Sequence, residues 1–102
     1  MKKSVWISYN LGIKGDYQSL YEWLDNHEAK ECGYSLAFLI QNMKEDLFSE
    51  IKFDLEEHVN FENGDRIFIT YKSQDNKIKG KFIRGSRKKS PWIGYASSGK
   101  NN

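Results

Sequence analysis

The sequence predicts one α+β domain in which two helices cover one face of an antiparallel sheet. Three observations carry this prediction. Apolar residues alternate with a period of two in several separate segments, two other segments repeat with a helical period, and the segments run strand, helix, strand, short strand, helix, strand, strand. A chain of 102 residues, 38% hydrophobic and 15% aromatic, suffices for one core and leaves no room for a second.

The first segment, Ser4 to Leu11, sets Val5, Ile7, Tyr9 and Leu11 on one side and Trp6, Ser8 and Asn10 on the other, which is a strand. Gly12 and Gly15 break the pattern, and Asp16 stands where an N-cap accepts the first free amides of a helix. That helix is expected over Asp16 to His27, with Tyr17, Leu20, Tyr21 and Leu24 forming its apolar stripe. From Ala29 to Gln41 the period returns to two around a small hairpin at Cys32 to Ser35. Leu36, Phe38 and Ile40 oppose Ala37 and Leu39, so this strand is apolar on both sides and belongs in a central or covered place.

A second helix is expected over about Lys44 to His58, with Leu47, Phe48, Ile51, Leu55 and Val59 facing inward. Arg66 to Lys72 reads as a strand, Gln74-Asp75-Asn76 as a turn, and Lys77 to Arg84 as a basic edge strand in which Lys79, Lys81 and Ile83 alternate with Ile78, Gly80 and Phe82. The summed order is that of a ferredoxin-like two-layer sandwich with an extra C-terminal strand. The domain is expected to occupy residues 1–95, with 96–102 a disordered tail. The stretch Gly85 to Tyr95 ends in Pro91-Trp92-Ile93-Gly94-Tyr95 and is expected to dock on the domain. Trp6, Leu39 and Phe68 fall opposite their neighbouring aliphatic sets, so the helix-free face is expected to be apolar too, and a homodimer, by apposed faces or a swapped terminal segment, would bury it.

Composition excludes several classes. The longest apolar run, Leu36 to Ile40, is far below the roughly 20 residues that span a bilayer. The N-terminal segment lacks the pattern of a signal peptide, and a cytoplasmic protein with no membrane partner is expected. One cysteine, Cys32, allows no internal disulfide, and with two histidines it is too little for a structural zinc site. The net charge of +2 conceals a division along the chain: residues 1–71 carry seven Lys or Arg against thirteen Asp or Glu, whereas residues 72–102 carry nine against Asp75 alone. Clustered cations of this kind suit an anionic partner such as DNA or RNA, and they equally suit acidic helices in the same fold or in a dimer mate.

Trp6-Ile7-Ser8-Tyr9-Asn10-Leu11, the glycine turn before Tyr17-Gln18-Ser19-Leu20-Tyr21, and Pro91-Trp92-Ile93-Gly94-Tyr95 resemble the short bacterial proteins described as SinR-like, which group with the CRISPR spacer-acquisition nucleases and VapD-type toxins in a ferredoxin-like superfamily. The resemblance implies a dimer. In the nuclease branch it also implies an aspartate at the end of the first strand that holds a divalent cation between subunits. Asn10 occupies the matching position, and a neutral amide is a weak ligand for Mg²⁺. Asp16 is the one nearby carboxylate that could replace it as a metal-binding or catalytic group, although a helix cap is its plainer role.

No cofactor is implied by the residues, and Mg²⁺ enters only with the nuclease alternative. His27 and His58 lie at helix ends, where structural roles are expected. Cys32, beside Glu31, is expected to be a buried or inert thiol. Gly12 and Gly15 lack the spacing of a phosphate-binding loop. The strongest constellation is Lys77, Lys79, Lys81, Arg84, Arg87, Lys88 and Lys89, followed by Trp92 and Tyr95: a comb of positive charge for phosphates with two rings to stack on bases. The expected function is therefore a dimeric, non-enzymatic nucleic-acid-binding module. A metal-dependent endonuclease and a protein-assembly module are the alternatives.

Overall fold

In the computed structural model, which describes residues 2–96, the chain runs β1 (Lys2–Asn10), α1 (Tyr17–Asn26), β2 (Lys30–Gly33), β3 (Leu36–Asn42), α2 (Leu47–His58), β4 (Arg66–Lys72) and β5 (Ile78–Arg84). The strands form one antiparallel sheet in the order β2-β3-β1-β4-β5. This α+β arrangement is compatible with a ferredoxin-like sandwich and departs from the four-strand order of that fold through its fifth strand. Among the described residues, no helix is long and apolar enough to cross a membrane. Most of the tail expected over residues 96–102 lies outside the described residues.

Capping fixes both helix starts. The Asp16 carboxylate accepts the Ser19 amide at 3.1 Å and begins α1. At α2, Asp46 accepts the Ser49 amide, while Glu50 accepts the amides of Lys44 and Glu45 at 2.7–3.1 Å. Those bonds hold Lys44 and Glu45 in a turn, so α2 begins at Leu47 rather than near Lys44.

The register aligns the buried face of the sheet. Val5 stands opposite Leu39 and Tyr71, and Ile7 opposite Ala37 and Ile69. These side chains join Leu20, Trp23 and Leu24 of α1 and Leu47, Ile51 and Leu55 of α2 in one core. Both helices therefore lie on the same face. Leu39 is buried in this core, not on the helix-free face where the alternation had placed it beside Trp6 and Phe68. In α1 the buried stripe is also rotated: Trp23 is buried and Tyr21 is exposed. The indole explains the rotation, because it fills the gap between the helices and its Nε1–H donates to Asp54 of α2 at 2.7 Å.

The segment after β5 is a further departure. Trp92, Ile93 and Tyr95 stand 60–78% exposed in a turn, so Pro91 to Tyr95 does not bury its large side chains as its composition predicts. Cys32 is an exposed thiol on the edge strand β2, not a buried one.

Candidate nucleic-acid interface

The face of the sheet opposite the helices is set by the same register. Cross-strand partners share a face, so Lys30, Phe38, Trp6, Thr70 and Gly80 form one row across all five strands. Leu36, Ser8, Phe68 and Phe82 form the next. Two ring pairs result. Trp6 and Phe38 lie with centroids 5.0 Å apart and planes tilted by 50°, and Phe68 meets Phe82 edge to face at 4.8 Å. Trp6 remains 40% exposed and Ile40 54% exposed, while Phe38, Phe68 and Phe82 are half-buried.

Gly80 makes the second pair possible. A Cβ at that position would lie 2.5 Å from the tip of the Phe68 ring, so the ring rests where any other side chain would stand. Cations frame this face. Lys30 is opposite Phe38, Lys72 is opposite Ile78, and Arg66 is opposite Asn10 with its guanidinium 5.5 Å from the centre of the Phe82 ring. The surface combines flat apolar rings with positive charge, the two elements that hold single-stranded nucleic acid.

The basic residues of the C-terminal hairpin are divided between different surroundings. Lys77 is exposed in the turn before β5, where its carbonyl accepts the Ser73 amide. Lys79 and Lys81 stand opposite Tyr71 and Ile69, which puts them at the edge of the helix-covered side. Lys81 lies 5.0 Å from the centre of the Phe48 ring, and the Asp46 carboxyl is held below its ordinary value chiefly by the Ser49 hydroxyl bond, with a smaller contribution from the Lys81 charge. Arg84 reaches Glu56 at 3.9 Å and lies over Phe61. A bulge between Ile67 and Phe68 turns it toward α2. Part of the comb is thus matched by acidic groups of the same chain. Arg87, Lys88 and Lys89 are exposed beyond β5 and lead to Trp92 and Tyr95, well apart in sequence from the ring pairs of the sheet.

The candidate metal ligands do not form a cation site. Asn10 faces a guanidinium across the β1–β4 pair, which repels a divalent ion. Both carboxylate oxygens of Asp16 are committed, Oδ1 to the Ser19 amide and Oδ2 to the Asn60 amide at 3.1 Å each. No group of three or more His, Cys, Asp or Glu is placed for a metal among the described residues. The residues do not fit Mg²⁺.

The histidines converge where the sequence did not foresee it. His27 stacks on Trp23 with centroids 3.9 Å apart, its Nδ1 lies 2.8 Å from the Trp23 carbonyl, and its Nε2 lies 3.4 Å from Asp54. His58 approaches the same Asp54 from one turn along α2 at 3.7 Å. This cluster ties α1 to α2.

Phe38, Phe82, Lys30 and Arg66 were not singled out by sequence. Alternation places Phe82 beside Gly80, but only the register joins these residues to Trp6. Compared with known proteins, the chain matches no family model, no curated protein and no solved structure.

Proposed function

We propose that this chain is a non-enzymatic nucleic-acid-binding module that takes single-stranded DNA or RNA across the helix-free face of its sheet. The observation that carries this reading is the pair of ring clusters on the helix-free face, Trp6 with Phe38 and Phe68 with Phe82, framed by Lys30, Lys72 and Arg66. Bases stack on rings whatever their sequence, and the framing cations take the phosphates. Duplex is a poor fit, because its bases are already stacked on one another. Arg87, Lys88 and Lys89 extend the positive field beyond β5 and support capture of the strand at longer range.

The test is a fluorescence-anisotropy titration of the full chain against single- and double-stranded DNA and RNA at two salt concentrations. Single strands are expected to bind in the micromolar range or tighter and in preference to duplex. Trp6→Ala and Phe38→Ala are each expected to weaken binding by about tenfold, since one base–ring stack contributes about 1–3 kcal/mol. Equal binding by both variants and the wild type sinks the reading.

A second reading, self-association through the C-terminal arm, is favoured by the exposure of Trp92, Ile93 and Tyr95. An arm carrying Arg87, Lys88 and Lys89 complements the acidic helix layer of another copy. This contact leaves the sheet face open, so the two readings are compatible.

A further inference from the structure

At the end of β1 a cavity of about 360 Å³ is lined by Ser8, Asn10, Tyr9, Tyr17, Tyr34, Ser35, Arg66, Phe68 and Phe82. It adjoins the helix-free face, to which Ser8, Asn10, Arg66, Phe68 and Phe82 all belong. Its chemistry is unusual in one respect. Arg66 contributes the one formal charge to the lining, and no carboxylate lines the cavity to match it.

Arg66 is held in place rather than left to wave. Its guanidinium lies over the Phe82 ring, and its stem passes close to Gly85, where a Cβ would come within 2.8 Å of the Arg66 Cγ. Gly85 has φ +76°, so both the backbone and the space require glycine. The adjacent carboxylate directs its oxygens to backbone amides rather than to the guanidinium. Asp65 is buried and spends Oδ1 on the Gly12 amide at 2.7 Å and Oδ2 on the Glu62 amide at 2.8 Å. The Nε–H of Arg66 is buried and has no hydrogen-bond partner. That buried donor is costly when unmade, and a guanidinium lining a cavity without a carboxylate favours an anionic acceptor with the geometry of phosphate.

We propose that this cavity is a single-nucleotide subsite, in which Arg66 takes one phosphate and the surrounding rings take the attached base. The subsite deepens the nucleic-acid reading and rests on it: it fixes one nucleotide of the strand at one end of the stacking face. The hydroxyls of Ser8 and Ser35 and the Asn10 amide supply neutral donors and acceptors for the sugar and base edge. An amide at position 10 suits this subsite, since an aspartate opposite Arg66 would compete with the phosphate for the guanidinium.

The test uses the full chain with uridine and adenosine 5′-monophosphates, the two nucleosides, and inorganic phosphate as probes. Binding is read by ¹⁵N NMR at the Arg66 Nε–Hε and at the amides of Ser8, Asn10 and Ser35. The monophosphates are expected to move these resonances, with nucleosides and inorganic phosphate each at least tenfold weaker. Arg66→Gln is expected to weaken the monophosphates by about tenfold or more, and Arg66→Lys to restore part of the affinity. Three results overturn the subsite: a wild-type Arg66 Nε–Hε resonance that none of the probes moves, inorganic phosphate as tight as the monophosphates, or unchanged binding by Arg66→Gln with a native amide spectrum. Anisotropy with single-stranded oligonucleotides separates the two readings. Equal binding by wild type and Arg66→Gln removes the subsite and leaves the stacking face intact, whereas no binding by either removes both.

Discussion

Asp16 shows how much one carboxylate does when both of its oxygens are directed. It caps α1 through Ser19 and ties the chain beyond α2 through the Asn60 amide. The Asn60 bond is the largest cause holding its carboxyl below the ordinary 3.8, followed by the bonds from Ser19. Glu50 is lowered in the same way by the amides of Glu45 and Lys44, and Asp75 by the Ser73 hydroxyl. For each group the folded value lies below the unfolded one. The stability it contributes is therefore fully present above about pH 5 and is lost as pH falls through the lowered value. Asp16→Asn is expected to lower stability at pH 7, because one of the two acceptors becomes a donor. Urea denaturation at pH 7 and pH 3 should show that deficit shrinking in acid, where the wild-type group also becomes neutral. A deficit constant across that range contradicts a role for the charge. Asp16 was legible in sequence as a cap, because capping is local; its bond to Asn60 was not, because nothing in the spacing announces it.

At the scale of elements, α1 and α2 are joined by one indole as well as by their apolar stripes. Trp23 is buried, its Nε1–H reaches Asp54, and His27 stacks on its face. Trp23→Ala is expected to cost about 3–5 kcal/mol, as for other large aromatics deleted from a core. Asp54→Ala removes one charge-assisted hydrogen bond at a part-exposed position and is expected to cost about 1 kcal/mol. Urea denaturation measures both, and equal losses would show that the indole's packing contributes little beyond its hydrogen bond. Periodicity identified α1 but set its stripe on Tyr21 rather than Trp23, since successive helical residues are only about 100° apart and an aromatic on either flank satisfies the pattern. The strands were placed within about two residues by alternation. The side of Leu39 was not, because Leu36 to Ile40 is apolar on both sides and period two cannot choose between two apolar faces. The interface was hidden for the same reason. Trp6, Phe38 and Thr70 meet through pairings between distant segments, and register is a property of the folded sheet.

At the scale of the whole molecule, part of the charge division becomes a division in space. The acidic residues concentrate on the helices and loops of the domain, while Arg87, Lys88 and Lys89 stand on an arm that ends in exposed Trp92, Ile93 and Tyr95. The radius of gyration of 15.9 Å exceeds the roughly 13 Å of a compact chain of this length. Three large apolar side chains in so short an exposed segment favour contact with a second copy, and the opposite charges of arm and helix layer set its orientation. Sedimentation of the wild type is expected to show concentration-dependent dimers that weaken as salt rises, because the exposed part of the contact is screened. Replacing Trp92 and Tyr95 by Ser should give monomers that still bind single-stranded oligonucleotide with at least a third of the wild-type affinity. If that variant stays dimeric and Trp6→Ala becomes monomeric instead, then two sheet faces are apposed in the dimer. Nucleic acid would then have to displace a subunit to reach the rings, and adding oligonucleotide would dissociate the dimer. With the arm as the contact, adding oligonucleotide leaves the dimer intact and loads two strands upon it.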